Sequence, residues 1–541
     1  MKNKSKSSST GTSVLRGQIV DVSARRIFPG SVHINRGSID MIVEEPVSET
    51  DIILPGLVDS HVHIESSMLT PDHFALLAAS HGTIAVVADP HEIANVCGMP
   101  GVDYMVNNAQ KASIAIYFSA PSCVPATSLD SSGAVLGVQD IASLLARKEF
   151  VSLGEMMNYP GVLSYDSDVW GKINIAKELF KPIDGHAPGL NEGDLDKYIA
   201  AGISTDHECE TLDEARKKAS LGMMIQIRQG SAAKNFDVLL PLLKEYPDQV
   251  MFCTDDCKAI DLQHGHIDVL VKRALAQGYD LFDVLRASSW NAVCHYNLDV
   301  GMLQEGDRAD LIVIEDFNDF RVKTLMRRGV EIDIQEHGVK EKDLINHFFA
   351  RPIFETEIVK PIPLGEVVNV IGVQDKTLAT KHLFYEWSPD LVEKEGLNKI
   401  VVVNRYQEKS HPAVGWVKGL NIQNGAIAST ISHDSHNIVA IGSSDEYITR
   451  AINALIEQKG GIVAVKQQQI YGLPLRIAGL MSDLPPYEFI PKYKSLDQLV
   501  RSLGVSLSSP FITLSFLSLP VIPSLRITDK GVFDVKQFRY L

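Results

Sequence analysis

Between residues 54 and 299, short apolar runs alternate with helical segments, and nearly every run ends on a residue able to carry chemistry. The runs read "GTIAVVADP", "FVSLGEMM", "PIDGHAPG", "GISTDHE", "MMIQIRQGS" and "VMFCTDD". Strands that alternate with helices build a parallel sheet, either doubly wound or closed into a barrel. The connections carry helix signals. Thr211 and Glu214 form a capping box with Gly222 as the stop, and Thr70-Pro71 opens the helix in "PDHFALLAASHG".

The first run of the series, "LPGLVDSHVHIESSML" at 54–69, ends in His61 and His63. Alternate side chains of an extended chain share a face, so the two imidazoles point the same way. A single histidine after a strand is commonly a hydrogen-bonded structural residue, but two on one strand face are costly to bury unpaired. Later strand ends add Asp89 and Glu92 in "ADPHE", then Glu155, His186, His207 and the pair Asp255 and Asp256. These are the C-terminal ends of predicted strands, where a (β/α)₈ barrel keeps its active site. Four imidazoles, one carboxylate able to bridge and a final aspartate can hold two divalent ions. The expected ligands are His61, His63, Glu155, His186, His207 and Asp255.

The flanks differ from this pattern. Residues 14–53 and 300–355 are short strands and turns, expected to form one small split β-domain beside the barrel at 54–299. Residues 1–13 read as a disordered tail. From 356 to 541 a C-terminal α+β domain is expected, with strands in "KIVVVNRY" and "GGIVAVK" and a helix in "SLDQLVRSLG" capped by Ser495 and Gln498 and stopped by Gly504. Gly56 and Gly82, next to strands, serve packing or turns. Internal repeats, a P-loop and a dinucleotide-binding glycine pattern are all missing, so nothing favours a nucleotide cofactor.

A chain of 541 residues, 45% of them hydrophobic, can bury two or three cores. The formal net charge of −16 repels a phosphate backbone and suits a small neutral or cationic ligand, not nucleic acid. The opening "MKNKSKSSSTGTS" has lysines without an apolar stretch after them, so neither signal peptide nor membrane anchor is expected, and the reading is a cytoplasmic protein. The six cysteines are scattered and expected reduced; Cys253 and Cys257 bracket "TDD" without a second pair to make a zinc ribbon, and Cys253 fills core.

The wording of these motifs resembles the amidohydrolase superfamily of metal-dependent hydrolases, and within it the bacterial adenine deaminase family. The matching phrases are "HVHIESSMLTP", "ADPHEIANVCG", "GEMMNYPGV", "DGHAPGL", "STDHE", "CTDD", "GHID", "VGMLQEGDRADLIVIED", "STISHDSHNIVAIG" and "GLPLRIAGLMSD", spread over about 50 to 485. Glu155 stands where hydantoinases, dihydroorotases and ureases use a carboxylated lysine, and adenine deaminases are similar in using glutamate there. The resemblance implies conversion of adenine and water to hypoxanthine and ammonia in purine salvage, free adenine preferred over adenosine, and manganese or iron in the site. The ligand types alone suit zinc equally. A homo-oligomer, a dimer, is expected.

Two divalent cations lower the pKa of a bound water to about 7 in favourable sites, which makes a nucleophile for C6 of adenine at neutral pH. N1 and the departing amine each need a proton, so two acid/base groups are required beside the metals. The resemblance implies Asp255 for the proton that ends on ammonia. Glu92 is the candidate at N1, with His91 or Glu65 in reserve, and Asp89 orients them or binds the base unless it is only a helix N-cap. Asp256 reads equally as a turn cap, and His264 and His266 of "QHGHID" as satisfied loop histidines. "SHDSHN" at 432–437 is either a capped turn or a contribution to the active site from outside the barrel. The competing functions are a cyclic-amide hydrolase, a deaminase of another purine, and a metal-binding scaffold that has lost turnover.

Overall fold

The computed structural model describes residues 11–231, 233–334, 338–375 and 377–541. The expected tail therefore lies outside the described residues up to residue 10, and Ser13 already opens a strand. The chain begins with a meander of β1 (Ser13–Asp21), β2 (Arg26–Asn35) and β3 (Ser38–Glu44), after which β4 (Ile52–Pro55) runs parallel to β1. On β2 the alternation is visible: Phe28, Val32 and Ile34 are buried while Ile27 and Pro29 face out.

Parallel strands follow: β5 (Leu57–Val62), β6 (Thr83–Ala88), β7 (Ala115–Ala120), β8 (Phe150–Met156) and β9 (Ile183–Gly185) form one sheet in that order. A second parallel sheet holds β10 (Thr205–Asp206), β11 (Met224–Arg228) and β12 (Val250–Cys253). Every residue of β5 and β6 is buried, as expected where helices cover a parallel sheet. The two sheets meet at both ends. Ser204 N donates to Ile183 O at 2.9 Å; across the other seam Asp255 N donates to His61 O at 2.9 Å and His63 N to Asp255 O at 3.2 Å. The last residue of the series is thereby tied by its backbone to the first. Gly56 has to be glycine, since a Cβ there would lie 2.5 Å from Ile84 Cβ, and Gly82 turns with φ +81°.

The chain then returns to the opening sheet. β13 (Leu311–Ile314) pairs antiparallel with β4, and β14 (Val322–Arg327) and β15 (Val330–Glu331) extend it to seven strands in the order β15-β14-β13-β4-β1-β2-β3. Beyond it the packing passes to the C-terminal part before residue 355: Phe349 N donates to Arg405 O at 2.7 Å, and Phe348, Ala350, Ile353 and Ile358 join a core with Val401 and Ala440.

The C-terminal part is built on eight strands: β16 (Val367–Gly372), β17 (Lys381–Glu386), β18 (Leu397–Val403), β19 (Ala413–Lys418), β20 (Gly425–Ser429), β21 (Ile438–Gly442), β22 (Gly461–Lys466) and β23 (Gln469–Pro474). The helix Asp445–Glu457 buries Ile448, Ile452 and Leu455 along one stripe against this sheet. Apolar residues of this sheet and of the parallel strands share one continuous core, so the C-terminal part is seated on the strand region. Among the described residues no helix is long and apolar enough to cross a membrane, and all six cysteines are unpaired.

Two capping expectations need correction. Ser495 lies inside the helix Pro486–Arg501, its hydroxyl donating to Pro491 O at 2.9 Å. The helix starts nearly three turns earlier with proline in its first turn and runs through Pro491, because the burial of Phe489, Ile490, Tyr493, Leu496 and Val500 outweighs one lost backbone bond. Thr70 precedes its helix as expected, but its hydroxyl bonds Asp72, not the backbone. Thr211 does cap, accepting from Glu214 N at 3.2 Å, while the Glu214 side chain reaches Glu210 N and Gly189 N, so only half of the box forms.

The helix so capped carries Lys218, which is fully buried and bonds Asp206, Ala187 O at 2.9 Å and Glu214 Oε1 at 2.7 Å. Lys218→Met would strand the buried Asp206 carboxylate beside the His207 end of β10. The expected loss is ~3–5 kcal/mol, the scale for breaking a buried pair from one side, read as a lower urea midpoint. An unchanged midpoint would show that the pair contributes nothing.

Candidate active site

The strand ends converge. His61 lies within β5 and His63 just after it; Glu155 is in β8; His186, His207 and Asp255 follow β9, β10 and β12. His61 Nε2 and His63 Nε2 lie 3.2 Å apart, and His63 Nε2 is 3.2 Å from both Glu155 Oε1 and Asp255 Oδ1. The other oxygen of Glu155 serves the second half: Oε2 is 2.7 Å from His186 Nδ1 and 3.1 Å from His207 Nε2. Glu155 thus has one oxygen in each of two donor groups. Of the six residues only His186 is more than slightly exposed, its side chain 28% open.

The backbone fixes the tautomer of one ligand. His63 Nδ1 lies 3.0 Å from Asp89 O, and a carbonyl can only accept, so Nδ1 carries the proton and Nε2 presents its lone pair to the centre. Electrostatics agree with a cationic occupant. Burial works against charge on His186, yet Glu208 and Glu155 push it up to about 9, and Asp255 and Glu155 raise His63 well above the ordinary imidazole value against the same penalty. A cluster that draws protons onto buried imidazoles is one that divalent cations would neutralise. Donor atoms of His61, His63 and Glu155 lie within 4.8 Å of one another, as do those of Glu155, His186 and His207 and those of His61, His207 and Asp255, a spacing that fits shared coordination.

Two residues that the reading of strand ends passed over complete this side of the site. Arg228, the last residue of β11, donates to Asp255 Oδ2 at 2.6 Å and to Glu208 Oε2 at 2.9 Å. Burial opposes ionisation of Asp255, but Arg228 and His63 outweigh it and hold the carboxyl well below the usual range. Arg228 sits in the quoted run "MMIQIRQGS", at a strand end like the rest, and that position was its signal. Asp255 itself has φ 55°, a left-handed conformation that aspartate tolerates better than most residues and that is concentrated at functional sites.

Asp89 is not a helix cap. Its Oδ2 accepts from Glu155 N at 3.0 Å, its Oδ1 is buried without a hydrogen-bond partner, and it lies 3.7 Å from His91 Nδ1. That bond explains Gly154, where a Cβ would stand 2.2 Å from Asp89 Oδ2. His91 Nδ1 is 3.4 Å from Glu155 Oε1, and its Nε2 is 3.5 Å from Glu92 Oε1. Glu65 accepts from Ile93 N at 3.1 Å and keeps its second oxygen buried and unpartnered; burial pushes this carboxyl up to about 7. Asp256 accepts from Ser66 Oγ at 2.5 Å and still lies with His63 and Asp255, the donor atoms of the three within 4.8 Å of one another. His264 is exposed, whereas His266 is buried beneath the site, 3.0 Å from Asp59 Oδ2. The 432–437 segment, the buried connection between β20 and β21, brings His433 and His436 onto Glu92.

This chain matches the Amidohydrolase family over residues 52–332 and so belongs to the amidohydrolases. Residues 376–539 match the Adenine deaminase C-terminal domain. The adenine deaminase of a Sulfurovum species is 47% identical over 538 residues, 97% of this chain and 99% of that protein. Those of Salinibacter ruber and Methanosarcina mazei are 45% and 44% identical, again over 97% of this chain and 98% of theirs. Within the amidohydrolases, the chain belongs to the adenine deaminase family. Among solved structures, an N-acetyl-D-glucosamine-6-phosphate deacetylase from Mycobacterium smegmatis aligns at a TM-score of 0.47 and 14% identity, covering 59% of this chain and 99% of that one, a likeness too slight to add to the assignment.

Proposed function

We propose that this chain deaminates adenine hydrolytically to hypoxanthine and ammonia, in a closed (β/α)₈ barrel holding two divalent ions, manganese or iron. The observation that carries the reading is Glu155, a buried carboxylate with one oxygen toward His63 and the other toward His186 and His207. His61, His63 and Asp255 would hold one ion and His186 and His207 the other. When bound, the ions supply a water acidic enough to attack at neutral pH. A cyclic-amide hydrolase of the carboxylated-lysine type is disfavoured because Lys172 and Lys218, buried lysines of this region, are turned to Ser122 O and Asp206.

The remaining chemistry falls to side chains. Asp255, ionised and fixed by Arg228 through Oδ2, keeps Oδ1 facing the centre to accept the proton of the attacking water and pass it to the amine. Glu92 passes a proton to N1, His91 lies between Glu92 and Glu155, and Asp89 fixes the backbone of Glu155 and offers its free oxygen to the base. Over one turnover the two protons of the consumed water end on N1 and on ammonia, and the C6–N bond breaks as C6=O forms. A cytoplasmic homodimer acting in purine salvage belongs to the same reading.

The test is ammonia release by the metal-loaded protein from adenine, adenosine and cytosine, with elemental analysis. Turnover of adenine and two metal equivalents are expected, with activity lost in chelator. Comparable kcat/KM for adenosine would show the specificity to be wrong, and full activity without metal would end the mechanism.

A further inference from the structure

The group on Glu92 lies outside the donors around Glu155, and two of its three members come from a different part of the chain. Glu92 Oε1 is 2.5 Å from His433 Nδ1, and Glu92 Oε2 is in still closer contact with His436 Nε2. All three side chains are buried, and the His433 ring stacks on Phe516 with centroids 4.5 Å apart. A carboxylate and two imidazoles could be read as a third metal site. One feature opposes that. Ser432 N donates to His436 Nδ1 at 3.3 Å, which makes Nδ1 an acceptor and places the ring proton on Nε2, facing Glu92. A nitrogen bearing a proton donates a hydrogen bond and cannot also ligate a metal.

We infer that His433 and His436 form a clamp through which the C-terminal part positions the Glu92 carboxylate for the proton at N1. This rests on the deaminase reading above. Each imidazole occupies one site on one oxygen, leaving the remaining lone pairs of the carboxylate for substrate. Burial opposes charge on His433, yet Glu92 pushes it up to about 9, so the pair holds a proton at neutral pH, while burial carries His436 down to about 4 and keeps it a neutral donor. Burial opposes ionisation of Glu92, but His433 and His436 outweigh it and keep the carboxyl ionised, so the proton that reaches N1 starts on His433 Nδ1 and passes through Glu92, and a proton of the consumed water restores His433. The clamp also gives the C-terminal part a task in catalysis: without it Glu92, at the start of a helix after β6, keeps His91, 3.5 Å away, as its ion-pair partner among the described residues.

The test is a double-mutant cycle in the metal-loaded full-length protein. His433→Ala and His436→Ala should each lower kcat for adenine by about 10²-fold, the scale of a catalytic group misplaced by 1 Å, with KM within a few-fold and two metal equivalents retained. In a Glu92→Gln background the same changes should alter kcat by less than about threefold, because the residues act as one unit. His436→Gln, which keeps an N–H donor, should recover much of the rate. Multiplicative effects in the Glu92→Gln background would overturn the clamp, and so would loss of a third metal equivalent in either histidine variant. A wild-type protein inactive on adenine would remove the reading beneath it, whereas an active wild type with multiplicative effects refutes the clamp alone.

Discussion

Asp255→Asn is expected to lower kcat for adenine by roughly 10²- to 10⁴-fold, the usual worth of a positioned acid/base group, with the fold and most of the metal retained. Asparagine keeps the size of the side chain and can still face Arg228, but its amide cannot take up a proton. The backbone tie from Asp255 to His61 and His63 does not involve the carboxylate, so β5 and β12 stay in register. The substitution also leaves Arg228 with Glu208 as its only carboxylate partner, which adds a stability cost distinct from the catalytic one. Measuring kcat and bound metal together separates the roles. Were Asp255 chiefly a ligand, the variant would lose metal and recover rate when metal is supplied in excess. Near wild-type kcat with full metal would refute the proton-shuttle assignment. Asp256→Asn is the matched comparison, since Asp256 bonds Ser66 yet lies beside His63 and Asp255: the smaller loss is expected there, and a larger one would make Asp256 the shuttle.

The parts legible in the sequence were those with a short period or a fixed place. Alternating strands and helices announced the parallel sheets, and His61-x-His63 announced a shared face, because a two-residue spacing on a strand leaves the side chains no other arrangement. Glu155, His186, His207 and Asp255 were readable because strand ends of a parallel α/β unit all point to one side. What escaped reading depends on contacts between residues far apart in the chain. Arg228 acts through Glu208 and Asp255, 20 and 27 positions away, and its charge has meaning only once those carboxylates are buried beside it. The 432–437 segment was legible as a candidate contribution to the site, but its target was not: His433 and His436 reach Glu92 across 341 and 344 positions, a juxtaposition no local pattern encodes. Ser495 failed for the opposite reason: a local capping pattern was present, and tertiary burial carried the helix past it.

Glu155 offers the sharpest test of the two-ion centre. Its two oxygens face different imidazoles, so Glu155→Ala would remove the one carboxylate that serves both His63 and the pair His186 and His207, leaving His207 to His61 and Asp255 beside it. Bound metal should fall from two equivalents to one or fewer, and kcat by on the order of 10³-fold or more, as when one member of a unit of catalytic groups is removed. Glu155→Asp separates charge from reach. It keeps the carboxylate but is one methylene shorter, so it should bind metal better than the alanine variant while still falling well short of wild type, because the shorter side chain cannot span both groups. Bound metal at two equivalents with a wild-type rate in Glu155→Ala would mean that the imidazoles and Asp255 suffice by themselves. The bridging role would then be wrong even if the deaminase reading stood, since Asp89 would be holding the backbone of residue 155 for some other purpose.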